Sequence, residues 1–107
     1  MHRVLIAEDN KINQVVAAGT LKKLGYAVDI VDGGREAIAA CLSTRFDAVL
    51  MDVMMPEVDG YQATARIREN ESRMGRPHVP VIGLSAWLYN RAAARNEARY
   101  RDLVEDK

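Results

Sequence analysis

The chain has a single cysteine, Cys41, so no disulfide framework can form, and its two histidines, His2 and His78, make no recognised zinc-ligand spacing with it. Cys41 therefore reads as a core residue. No apolar run approaches the roughly 20 residues of a membrane span. Met1-His2-Arg3 leads directly into a strand pattern instead of a signal peptide, so the expected setting is cytoplasmic, with no membrane partner. Excess charge is also missing: the formal net charge is zero. Residues 1–60 carry six Lys/Arg against nine Asp/Glu, residues 61–101 eight against three, and residues 102–107 one against three. No coherent basic face with aromatic or groove-reading partners is visible, and direct nucleic-acid binding is not expected. Repeats, low-complexity tracts and linkers are absent. The 107 residues are expected to form one domain, 1–107.

What is present is a series of short apolar runs that stop at polar groups. Val4-Leu5-Ile6-Ala7 stops at Glu8-Asp9, and Ala48-Val49-Leu50-Met51 stops at Asp52. Such wholly apolar runs suit parallel strands covered on both faces. Ala27 to Val31 reads as a further strand, and Val81-Ile82-Gly83-Leu84 as a fourth, ending at Ser85. Between them lie helical segments of about ten residues. The first begins near Lys11 to Asn13 with Asn10 or Asn13 as cap and runs to Leu24, with Ala17, Leu21 and Leu24 inward and Gly25 as stop. The second runs from about Arg35 to Ser43 with Ile38, Cys41 and Leu42 on one face, and the third from about Tyr61 to Asn70, followed by an irregular polar stretch, Glu71 to His78. Leu88 to Arg101 is helical by composition, with Arg91, Arg95 and Arg99 sharing one face, either solvated or a docking face for a partner. Strands alternating with helices define an α/β fold with a doubly wound parallel sheet.

In such a sheet Glu8, Asp9 and Asp52 converge on one crevice at the carboxyl ends of neighbouring strands. Like charges about 4 Å apart at a protein surface repel by roughly 4 kcal/mol, so three carboxylates require a counterion or a shared proton. With only oxygen ligands available, Mg²⁺ is favoured over zinc or copper. A carboxylate beside Mg²⁺ can act as a nucleophile toward phosphorus and form an acyl phosphate. Positioning and charge neutralisation dominate such a transfer, so a hydroxyl and a cation are expected nearby. Ser85 supplies the first, and Lys107 the second if Leu103-Val104 form a short fifth strand.

The wording VLIAEDNKINQ, LKKLGY, MDVMMPEVDGYQATARIR and PVIGLSA resembles the receiver domain of two-component response regulators, most closely the receivers of hybrid histidine kinases. The match runs from about Arg3 to Ala86. The resemblance implies a flavodoxin-like fold of strand order 2-1-3-4-5, with Asp52 as phosphoacceptor and Glu8 and Asp9 as the acid pair. It implies Mg²⁺ held by Asp9, Asp52 and the main-chain carbonyl of Met54, and Ser85 as the switch hydroxyl that bonds a phosphoryl oxygen. The family's phosphate-pairing Lys lies 22 residues after that hydroxyl, as Lys107 does after Ser85. Donors implied are a histidine kinase or a histidine phosphotransfer domain. Met54 and Trp87 take the positions that in this family flank the path of the hydrolytic water, and their bulk implies slow self-dephosphorylation.

The C-terminal residues depart from the family pattern. Asp102-Leu103-Val104-Glu105-Asp106 replaces an apolar strand with an aromatic three residues before the Lys, and neither the following Pro nor the fifth helix is present. Spacing favours Lys107 in the phosphate-pairing role, while the flanking sequence allows residues 102–107 to prolong the preceding helix instead. A missing fifth helix would expose apolar sheet and favour a homodimer. Besides a phosphorelay acceptor, either stand-alone or part of a larger protein, two other readings stay open. One is a receiver-like interaction module that does not switch; the other is a Mg²⁺-dependent aspartyl phosphohydrolase, which usually needs a second acid where this chain has Met54.

Overall fold

The computed structural model describes residues 2–88. The wholly apolar runs become inner strands: β1 (Arg3–Ala7) and β3 (Ala48–Met51) lie side by side in parallel, with Val4 opposite Ala48 and Ala7 opposite Met51. The more polar β2 (Ala27–Val31) pairs with the other edge of β1, and β4 (Val81–Gly83) with β3, so the order is 2-1-3-4, all parallel. The alternation of side chains along each strand divides the core into two layers. Val4, Ile6 and Leu50 pack with Ala17 and Leu21 of helix α1 (Lys11–Lys23). Leu5, Ala7, Val49 and Met51 pack with Ala37 of helix α2 (Gly34–Ser43) and with Ala63 and Ile67 of helix α3 (Gly60–Met74). Two covered faces explain why β1 and β3 carry no polar alternation.

The helix ends follow local chemistry. The Asn10 side chain accepts the Asn13 N–H at 3.0 Å to start α1, and Gly25, at φ 93°, turns the chain away after it. Asp59 and Gln62 form a reciprocal capping box that starts α3. That helix runs further than its composition suggests, through Glu71 to Met74, before Gly75 closes it at φ 66°. Its extra turn is held by a buried carboxylate: Glu71 accepts Arg68 Nη1 at 2.9 Å and the Val79 N–H at 2.8 Å, tying α3 to the segment that enters β4. On α2 the inward residues are Ala37, Ile38 and Cys41, whereas Leu42 is exposed.

The chain departs from expectation after β4. Strand four stops at Gly83, and residues 84–88 are already helical, so Leu84 and Ser85 open a helix that the composition placed from Leu88. Trp87 on this helix is fully buried against the α1 side of the sheet, among Val4, Ile6, Leu21 and Tyr26. It therefore packs in the core instead of flanking the crevice, which corrects the expectation that its indole borders a water path. The rest of the Leu88 to Arg101 helix, the fifth strand at Leu103-Val104 and Lys107 lie outside the described residues. No helix among the described residues is long and apolar enough to cross a membrane.

Candidate metal and phosphoacceptor site

The parallel pairing of β1 and β3 places Glu8, Asp9 and Asp52 together, each offering a carboxylate oxygen within 4.8 Å of the others. Each is delivered by backbone geometry. Asp52 directly follows β3, and its N–H donates to the Ala7 carbonyl at 2.9 Å, which continues the ladder to the last residue of β1. Glu8 extends β1, and its N–H donates to the Val31 carbonyl of β2 at 3.1 Å.

The three acids sit in unlike surroundings. Glu8 is 3% exposed; one carboxylate oxygen accepts the Asn10 N–H at 2.9 Å and the other accepts Asn13 Nδ2 at 3.4 Å. Burial pushes its carboxyl above the ordinary value and the nearby Asp52 charge adds to this, while the Asn10 hydrogen bond opposes them. Asp9 is exposed and Asp52 half-buried. Asp52 Oδ1 accepts the Met54 N–H at 3.3 Å, which folds the loop back on Asp52, while Met54 is 79% exposed. Further along, the Gly60 N–H returns to the Val53 carbonyl at 2.9 Å. Gly60 is required there by contact: a Cβ would lie 2.4 Å from the Asp52 carbonyl oxygen. Ser85 is exposed, two residues beyond Gly83, the partner of Met51, and so stands at the same end of the sheet as Asp52.

Oxygen-only donors of like charge, lying within 4.8 Å of one another and partly open to water, suit a hard divalent cation such as Mg²⁺ that retains some of its water. The sequence reading missed two side chains here. Asn13, which its sequence context marks only as a helix start, also reaches Glu8. Gln14 is buried beneath the acid pair, and the only sign of it was a polar residue three before Ala17 on the inward face of α1.

The fold and the crevice together define a small doubly wound α/β domain with an acidic, cation-type cleft at the carboxyl ends of its central strands. The chain belongs to the response regulator receiver domain family, which it matches over residues 4–102. It is 49% identical over 101 residues to a probable histidine kinase 5 of Oryza sativa subsp. japonica, covering 78% of this chain but 8% of that protein. It is 51% identical over 69 residues to histidine kinase 5 of Arabidopsis thaliana, covering 64% of this chain and again 8% of the relative. The chain thus spans less than a tenth of the length of these two relatives. Among solved structures, the receiver domain of the Arabidopsis thaliana histidine kinase CKI1 complexed with Mg²⁺ and BeF₃⁻ superposes with a TM-score of 0.67 at 37% identity, over 77% of this chain and 64% of that one. The receiver domain of the sensor histidine kinase PA1611 from Pseudomonas aeruginosa, with a magnesium ion coordinated in its active-site cleft, gives 0.67 at 38% identity, over 77% and 65%. The flavodoxin-like expectation agrees with these neighbours and with the 2-1-3-4 sheet.

Proposed function

We propose that this domain takes a phosphoryl group onto Asp52 from a phosphohistidine on a histidine kinase or phosphotransfer domain, and that the change at the acceptor alters a docking surface. The observation that carries the reading is the convergence of the Glu8, Asp9 and Asp52 oxygens within 4.8 Å at the ends of β1 and β3. An Asp52 oxygen attacks phosphorus as the N–P bond of the donor breaks. The electron pair remains on the imidazole nitrogen, which takes up a proton, and the product is an acyl phosphate. Asp9, Asp52 and the Met54 carbonyl, with Glu8 behind them, would hold Mg²⁺, which when bound supplies the positive charge that offsets the carboxylates and the phosphoryl oxygens. Ser85 donates its hydroxyl to a phosphoryl oxygen, and Lys107 pairs with another. Self-phosphorylation from small donors and self-dephosphorylation are the only catalytic acts in this reading, and the setting is cytoplasmic.

A donor protein must seat its histidine at the crevice. Ile12, Val15 and Val16 on the first turns of α1, directly after the acid pair, are exposed apolar side chains at i, i+3 and i+4 that suit such contact. Incubation with Mg²⁺ and acetyl phosphate, read by intact mass, is expected to add one phosphoryl group to the wild type and none to Asp52→Asn or in the presence of a chelator. No mass gain in the wild type, or an undiminished gain in Asp52→Asn, overturns the assignment.

A further inference from the structure

Gln14 is 6% exposed, yet it belongs to the otherwise apolar inward face of α1. A primary amide has two N–H donors on one nitrogen. Here Nε2 reaches two acceptors: the main-chain carbonyl of Glu8 at 2.6 Å and Asp32 Oδ1 at 2.7 Å. Asp32 immediately follows β2 and also accepts Lys11 Nζ at 2.9 Å. The Glu8 N–H is held by Val31, one residue before Asp32. The main chain of Glu8 is therefore gripped on both sides: its N–H by the end of β2, its carbonyl by α1, with α1 and the end of β2 joined through the same amide.

We propose that Gln14 is a positioning residue for the acidic site, which orients the Glu8–Asp9 peptide and thereby aims the Asp9 carboxylate at the cation position. The inference rests on the phosphoacceptor reading above. The Glu8 carbonyl and the Asp9 nitrogen share one rigid peptide plane, so turning the carbonyl rotates the base from which the Asp9 side chain projects. Asp9 is exposed, and its direction depends on that base more than on packing. Asp32 in turn limits where Gln14 can point, and Lys11 steadies Asp32.

The test is Mg²⁺ affinity measured by titration calorimetry on the full chain, beside thermal melting. Gln14→Met keeps length and volume but removes both donors, and its Mg²⁺ dissociation constant is expected to rise about tenfold, the lower end of what losing a partner of a metal ligand costs. Asp32→Asn and Asp32→Ala separate hydrogen bonding from charge, because both remove the same charge and only Asn still accepts from Gln14. Affinity is expected to be several-fold weaker in the Ala variant than in the Asn variant. Asp32 is exposed, so these two test the idea even where Gln14→Met does not fold. Equal affinities for Asp32→Asn and Asp32→Ala, or a Gln14→Met chain that melts lower but binds Mg²⁺ as the wild type does, would make Gln14 a packing residue only. Wild type that binds no Mg²⁺ would instead overturn the phosphoacceptor reading itself.

Discussion

Adding one methyl group at Gly60 should disturb Asp52 directly. An alanine Cβ there would lie 2.4 Å from the Asp52 carbonyl oxygen and 2.9 Å from the Val53 Cα. Ordinary contacts begin near 3.5 Å, so the shortfall is about 1 Å. The three nearest atoms are all main chain, which cannot swing aside as a side-chain tip can. Both ends of the contact are also tethered, Asp52 N–H to Ala7 and Gly60 N–H to Val53, each at 2.9 Å. The β3–α3 loop must move as a body, at a cost of about 1–3 kcal/mol for overpacking. At about 4–8 °C per kcal/mol for a domain of this size, the melting temperature should fall by roughly 4–24 °C. The same displacement moves Asp52, and a misplacement of about 1 Å can cost on the order of 100-fold in a positioned reaction. Circular dichroism melting and the rate of mass gain from acetyl phosphate with Mg²⁺ measure the two effects. Gly19→Ala is the control: it lies exposed in α1 with nothing within 4 Å of the added atom, and should stabilise by about 0.5–1 kcal/mol. A Gly60→Ala chain that melts within a degree of wild type and phosphorylates at the wild-type rate would refute the steric argument.

Trp87→Ala should cost about 3–5 kcal/mol in urea unfolding, because the residue is fully buried in the α1 layer; a midpoint near the wild type would mean the indole is not in the core. Glu71→Ala strips the Val79 N–H and Arg68 of their acceptor and should cost about 2–3 kcal/mol, whereas Glu71→Gln keeps an oxygen for Val79 and should lose clearly less; equal losses would deny the main-chain bond its role. The Cys41 thiol is pushed up to about 11 from 9.0, first by burial and then by the Glu71 charge. Its thiolate fraction at pH 8 should be roughly 100-fold below that of an unshifted thiol. Iodoacetamide should therefore label it correspondingly slowly in the folded protein, and labelling at the rate of unfolded chain would contradict that burial.

Much of the fold is written locally. Apolar runs without polar alternation, Val4–Ala7 and Ala48–Met51, demand cover on both faces, and the residues at their ends then have one place to go. Asn10, Gly25 and Asp59 mark helix ends through bonds or backbone angles that involve only near neighbours. Glu8, Asp9 and Asp52 could be brought together on paper because β1 and β3, both covered, are the natural central pair.

Tertiary structure decided what depends on partners far along the chain. Gln14 looks like a misplaced polar residue until Asp32, across the β2 end, provides its second acceptor. Glu71 lay in a stretch too polar to be read as buried helix, and it is buried because Val79 and Arg68 consume its charge. Trp87 shows the limit most clearly. Hydrophobicity foretells that an indole will leave water, but the layer it enters depends on the path the chain takes after Gly83. By itself the sequence determined that the apolar runs of β1 and β3 are buried and which acids meet at their ends, since these follow from local pattern. The packed structure alone decided which side of the sheet each buried group faces and which main-chain atoms it grips, because those contacts are made between segments that the pattern does not relate.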